Sequence, residues 1–331
     1  MLGLTVAARP MRILFLTHPY PNYVPDLLLH GLRSLLGPDC VDYPRKDCVY
    51  EGVIGLGVCP EGLRQRDWFP PDRGVDREDV PRRLALGDFD YAIVDVRALA
   101  GAAELLQGAR VRGIAVVDGE DHPVPLRPGP WLLFRRETDG CDHSVPLPMA
   151  LPAEVFERIR AHDGETKRYP VGFVGAVDRA ASDRARLVEA LRRRFPDGLF
   201  RISRVPGPGE TAPGRLHKDD YYRAMQACRF TVTLPGAGRD TFRYWEHAAC
   251  NSVDLVPVSP LFIPDDFEDG RHLLRFTGLD ALAARIERLE QDPDAWAEMV
   301  DACRSHLLSR HLTIHRAAYC LDRLQRAFDH P

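Results

Sequence analysis

Several features that would classify a chain of 331 residues at once are missing here. The apolar runs, such as Ile13-Leu-Phe-Leu16, have strand length and are too short to span a membrane. The eight cysteines are scattered with no C-x-x-C pair, which excludes a zinc ribbon and a dense disulfide framework and suits free thiols. The turn after Leu16 lacks G-x-G-x-x-G, so a dinucleotide-binding enzyme is disfavoured. Net charge is only −4, from 44 basic and 48 acidic residues, and no basic–aromatic stripe marks a nucleic-acid surface. Arg192-Arg193-Arg194 is the one basic run singled out, and it reads as a solvated helix face. Met1–Pro10 is too short for a secretory leader, so a cytoplasmic protein with no integral membrane segment is expected.

What is present is the composition of a soluble globular protein, 45% hydrophobic and 28% charged, at a length that suits two domains. Compact apolar runs alternate with helical periodicity. Met11–Thr17, Tyr91–Val96, Gly113–Val117 and Trp131–Phe134 read as strands, with helices over Val24–Leu36 and Leu99–Gln107. The Pro-rich segment Val145–Pro152 and the charged stretch Ala161–Arg168 then interrupt the pattern, placing a boundary within Val145–Pro170. The alternation restarts with strands at Val171–Gly175, Leu199–Ser203, Phe230–Leu234, Ser252–Val258 and His272–Phe276. Helices over Ser182–Phe195, Lys218–Cys228 and Leu279–Leu289 lie between and after them. Ala295–Phe328 reads as a helical tail broken near His311. The expected fold is therefore α/β: two Rossmann-like domains, residues 1–150 and 165–331, facing across a cleft with a C-terminal helical tail, a GT-B-like arrangement that the alternation alone does not separate from other two-domain α/β proteins.

Ligands of such sheets bind beyond the carboxyl ends of the strands. That rule draws attention to His18, Asp95, Asp118–His122, Gly175 and the segment Thr233-Leu-Pro-Gly-Ala-Gly-Arg-Asp-Thr-Phe-Arg-Tyr-Trp-Glu246. The last is a strand end, a Pro/Gly turn and a helix start, where unpaired backbone N–H groups and the helix dipole favour an anion. Arg239 and Arg243 flank the turn, and Glu246 lies one helical turn beyond Arg243 on the same face. A cation for phosphate oxygens beside a carboxylate for sugar hydroxyls suits a nucleotide sugar; an ordinary strand–helix connection with a surface Arg–Glu pair would look the same.

Asp219-Asp-Tyr-Tyr-Arg-Ala-Met, Cys228–Glu246 and Phe267-Glu-Asp-Gly-Arg-His272 resemble the C-terminal glycosyltransferase domain of spore-maturation-protein-B-like proteins, a GT-B group. The likeness runs from about Tyr169 to the C-terminus, and Asp118-Gly-Glu-Asp121 is similar to an element of their N-terminal halves. This resemblance implies a second domain that binds a nucleotide-diphosphate sugar and a first that presents the acceptor, small molecule or glycan. It implies a departing diphosphate stabilised by side chains and a helix N-terminus, with neither metal nor cofactor. Gly175, Gly236, Gly238, Arg239, Asp240, Thr241, Arg243 and Glu246 are then donor-binding candidates. Arg243 faces the leaving group and Glu246 the donor's hydroxyls. His18 and Asp121 are candidate bases for the acceptor, with Asp95, Asp118 and Glu120 beside it. An epimerase or hydrolase on the same scaffold, or a non-catalytic binding module, would carry the same donor motif.

Overall fold

The computed structural model describes residues 10–51, 68–69, 74–177, 182–204 and 216–329; the amino-terminal stretch Met1–Arg9 and Cys59 lie outside them. Two parallel sheets form the molecule. The first is built from β1 (Ile13–Leu16), α1 (Tyr23–Leu36), β2 (Cys40–Tyr43), α2 (Val80–Leu86), β3 (Tyr91–Asp95), α3 (Ala103–Gln107), β4 (Gly113–Asp118), β5 (Leu132–Arg135) and the short β6 (Val145–Pro146). Its strand order is β2-β1-β3-β4-β5-β6. After α4 (Ala153–Arg160) come β7 (Tyr169–Val177), α5 (Asp183–Arg194), β8 (Leu199–Arg204), α6 (Lys218–Gln226), β9 (Cys228–Val232), α7 (Phe242–Ala249), β10 (Val253–Pro257), β11 (Leu274–Phe276) and α8 (Leu279–Glu290). These strands order β11-β10-β9-β7-β8, and α9 (Pro293–Arg310) and α10 (Thr313–Phe328) close the chain. The α/β reading with two Rossmann-like sheets holds, as does the break at His311 between α9 and α10.

The continuous apolar runs became central strands because parallel strands are covered by helices on both faces. Ile13, Leu14, Ile93, Val94, Val116 and Val117 are all fully buried. Four elements escaped the pattern: β2, α2, β6 and α4. β2 carries Asp42, a buried carboxylate fed by Lys46 N and the Tyr50 hydroxyl, so its alternation looked wrong for a strand. The helix α4 begins directly after Pro152, in a stretch that reads as linker, and it buries Phe156 and Ile159.

The chain returns to its first half at the end. At the crossing, Leu151 N donates to His311 O and Thr313 N to Leu151 O, both at 3.0 Å. From there α10 packs along α1, and a side chain at Gly31 would run into the Thr313 carbonyl. Further on, the Tyr91 hydroxyl donates to Asp329 Oδ2 at 2.6 Å. The helical tail is thus shared: α9 covers the second sheet and α10 the first.

Three imidazoles guard this crossing. His306 and His311 both reach the Asp265 carbonyl through Nε2, at 2.6 and 2.8 Å. The His272 ring stacks on His306 with centroids 4.6 Å apart. Arg316 Nη2 donates to His311 Nδ1 at 2.8 Å, which requires the neutral ring. Burial, reinforced by Arg316 and His306, pushes His311 down to about 2. Its ordinary value is about 6.5, so below that pH the unfolded chain takes up a proton that the folded one refuses, and stability is lost as pH falls. Buried Asp95 titrates in the opposite sense, raised by burial to about 6, so the effect must be read by difference. The stability advantage of wild type over His311→Gln should shrink by about 1.4 kcal/mol per pH unit below pH 6.5 in urea melts. A pH-independent gap between the two would refute it.

Candidate functional site

The turn Pro235–Asp240 follows β9 at the carboxyl edge of the second sheet, as its Pro/Gly composition foretold. Thr241 is the N-cap of α7 with extended backbone (φ −121°, ψ 142°), yet its side chain caps nothing. Its buried Oγ1 has no hydrogen-bond partner among the described residues, and neither has the buried Nε of Arg243. Orphaned polar atoms at a helix N-terminus are costly unless a ligand completes them.

Opposite them lies Gly175 on β7. A β-carbon there would stand 2.6 Å from Arg243 Nη2 and 3.2 Å from Arg184 Nη2, so two guanidiniums converge on this glycine. Arg184 is the first-turn residue of α5 and donates to Pro235 O at 3.2 Å. It also approaches the space above Gly236, where a β-carbon would stand 3.6 Å from its Nη1. Both guanidiniums lie over the Phe173 ring, at 5.5 and 5.6 Å from its centroid. Gly175, Gly236, Thr241 and Arg243 therefore come together as one cradle, and Arg184 joins them. Its signal in the sequence was a basic residue in the first turn of a helix, where the dipole disfavours it.

Glu246 is on the next turn of α7, with a side chain only 6% exposed. Lys218 Nζ and the Tyr222 hydroxyl both contact its Oε1, at 2.5 and 3.0 Å. Burial is the largest influence and works against its charge, but Lys218, Arg243 and His247 together outweigh it and hold the carboxyl below its ordinary value. Tyr221 and Tyr222 are buried, and Trp245 lies fully buried behind the helix.

Asp240 does different work from the other residues of the motif. It is buried, its carboxylate accepting from Met149 N (2.6 Å) and Trp245 Nε1 (2.9 Å). Its own N–H donates to Glu137 Oε1 at 2.9 Å, and its carbonyl accepts from Arg136 Nη2. The dipeptide Arg136-Glu137, at the end of β5, thus grips this peptide from the other half of the molecule. Glu137 also takes the Arg239 N–H, yet burial still raises its carboxyl above the ordinary value. These backbone donors, expected at a ligand anion, are occupied by a carboxylate of the protein itself. The Arg239 backbone is held in this way while the residue as a whole stays exposed, beside an open pocket shared with Tyr244, Asp266 and Arg275.

Gly238 shows how close the two halves come. A β-carbon there would meet Arg136 Nη2 at 2.6 Å, Glu137 Oε1 at 2.7 Å and Asp121 Oδ1 at 2.9 Å. Asp121 therefore reaches the turn Pro235–Asp240, its Oδ1 held by Arg136 Nη1 at 2.8 Å while the side chain stays 49% exposed. A stacked pair, Tyr23 and Phe242, bridges the halves nearby, with centroids 5.1 Å apart.

The remaining first-half candidates spread along the sheet edge. Asp118 is buried and ties its loop, accepting from Glu120 N, Val124 N and Arg135 Nε. Glu120 is held by Arg97 and by Asn22 Nδ2. Asp95 is buried, and its Oδ2 has no partner among the described residues. His18 accepts the Tyr20 N–H at Nδ1 (3.3 Å), so its neutral ring carries the proton on Nε2 and offers a donor there. Burial first, then the charges of Lys46 and Arg97, lowers its affinity for a second proton. The Lys46 ammonium is wholly buried beneath it and donates to His18 O (2.5 Å) and Tyr20 O (2.6 Å), fixing this turn.

Residues 179–322 match the family model described as glycosyl transferase-like. A glycosyltransferase from Rickettsia africae superposes with a TM-score of 0.59 at 10% identity, covering 97% of this chain and 99% of that one. Residues 179–322 thus form a glycosyl transferase-like domain, and the chain has the GT-B fold of the glycosyltransferases it superposes on. Two further structures agree in fold. An alpha-glucosyltransferase solved with UDP-glucose and DNA containing an abasic site gives 0.56 at 10% identity over 95% and 99% of the two chains. Anabaena HepE in complex with UDP gives 0.55 at 11% identity over 95% and 100%. Among curated proteins, none matches the sequence significantly.

Proposed function

We propose that this protein moves a sugar from a nucleotide-diphosphate donor to an acceptor hydroxyl, in the cytoplasm and without a resident metal or cofactor. The observation that carries the reading is the cradle at Gly175, where Arg184 and Arg243 converge beside the orphaned Thr241 Oγ1. Breaking the anomeric C–O bond builds positive charge on the sugar and negative charge on the departing diphosphate. Two planar guanidiniums and a helix N-terminus provide for the second of these. Glu246 would accept the donor's hydroxyls from the adjoining turn. UDP-sugars are the first donors to test, because UDP and UDP-glucose are named with the similar structures. In this reading the second sheet holds the donor and the first the acceptor, a small molecule or glycan rather than a polyanion. The resemblance to spore-maturation-protein-B-like proteins belongs with this proposal.

Asp121 is the favoured base. It is the half-exposed first-half carboxylate that reaches the donor turn, and Arg136 orients it. His18, with its proton on Nε2, would instead donate a hydrogen bond to a substrate oxygen. Asp95, Asp118 and Glu120 would shape the acceptor side without meeting the reacting atoms. Accordingly, Asp121→Asn should lower kcat for transfer by about 10²- to 10⁴-fold while leaving donor KM within a few fold. Unchanged transfer would sink the assignment. Donor turnover that needs no acceptor would point to a hydrolase.

A further inference from the structure

Lys218 is out of place by local rules. It opens α6, where the helix dipole favours acidic side chains, and its neighbours Asp219 and Asp220 obey that preference. Something other than the helix must therefore hold it. Its Nζ lies 2.5 Å from Glu246 Oε1 and within 5.4 to 5.8 Å of the ring centroids of Tyr221, Tyr222 and Phe242. Tyr222, four residues on along the same helix face, donates to the same oxygen at 3.0 Å. Glu246 Oε2 accepts no hydrogen bond among the described residues.

We infer that Lys218 is a positioning residue: with Tyr222 it fixes Oε1 of Glu246, so that Oε2 is presented to a hydroxyl of the bound donor. This rests on the donor reading above. A neutral diol cannot replace an ammonium as partner to a buried carboxylate, so the lysine stays in place when the donor arrives. The groups facing Glu246 are Lys218, Tyr221 and Tyr222 from α6, Arg243 and His247 on its own helix, and the Cys250 thiol. Of the cations among them Lys218 acts most strongly on Glu246 against the effect of burial, with Arg243 and His247 adding to it. Without it the carboxyl would take up a proton at a higher pH and lose its grip on a hydroxyl donor. Lys218 is itself 43% exposed, so the ion pair adds little to folding and its consequence lies in the state of Glu246.

The test is Lys218→Met beside Lys218→Arg, in the full chain. Lys218→Met should raise donor KM by about 10- to 100-fold with kcat little changed, the loss expected when a charged hydrogen bond is removed. The acid limb of its kcat/KM profile should move to higher pH, and the Glu246 carboxyl ¹³C titration midpoint should rise with it. Lys218→Arg should restore all three. In a Glu246→Gln background, Lys218→Met should add no further loss. An unmoved midpoint and pH profile in Lys218→Met would overturn the inference, whatever happened to its thermal stability. Absence of donor turnover in the wild type would overturn the glycosyltransferase reading and the ligand with it. The Glu246 midpoint, measured without ligand, would still decide whether the lysine controls that carboxylate.

Discussion

Arg243→Ala should lower kcat/KM for the nucleotide-sugar donor by about 10²- to 10³-fold, the range for removing one preorganised group at a developing oxyanion. It should do so with the chain still folded and only modestly destabilised. The Arg243 Nε is buried without a partner among the described residues, so truncation removes a group that the apo protein leaves unsatisfied. What folding loses is a cation–π contact with Phe173, worth about 0.5–1 kcal/mol, and the Arg243 charge beside the Tyr221 hydroxyl and Glu246, which retains Lys218. Arg243→Lys should recover only part of the activity, because a point charge cannot repeat a planar fork beside Gly175. Steady-state kinetics paired with a urea melt checks both halves. Full activity in Arg243→Ala would remove the diphosphate from this cradle.

Asp240→Ala should behave in the opposite way. Its carboxylate satisfies Met149 N and the Trp245 indole, and it lies 4.0 Å from the Arg136 guanidinium, which is itself almost fully buried. Arg316 also feels its charge from the crossing. Removing it leaves two buried N–H donors and two buried cations short of a partner, which should cost about 3–5 kcal/mol. Asp240→Asn should cost less, since burial already raises this carboxyl above its ordinary value and makes the neutral form less foreign to the site. Urea unfolding at constant slope is the measurement. Should Asp240→Ala keep its stability and lose only donor affinity, Asp240 would be a ligand residue and the clamp would be wrong.

That contrast shows where sequence reading stops. The motif Pro235–Glu246 was legible as a turn into a helix flanked by cations, because glycine, proline and periodicity report local backbone. Its division of labour was not. Asp240 and Arg243 stand three residues apart with similar polarity, yet one is claimed by Met149, Trp245 and the first sheet and the other is left facing Gly175. Tertiary contacts over about 100 positions decide that, such as Glu137 with the Asp240 amide. Arg136 and Glu137 were overlooked because adjacent opposite charges normally mean solvent. Their place directly after a buried strand, at its carboxyl end, was the available clue. Asp118 misled for a related reason: a carboxylate at a strand end also suits a loop that needs its own amides tied, and Glu120 N and Val124 N take it. The strands themselves were readable because a sheet covered on both faces requires unbroken apolar runs.

Calorimetric titration of the wild type and Arg243→Ala with UDP and the other nucleoside diphosphates, in chelator-treated buffer, tests the central claim most directly. The account predicts that one nucleoside diphosphate binds the wild type selectively and that Arg243→Ala loses most of that affinity while remaining folded. No binding by the wild type, or equal binding by the variant, would contradict it.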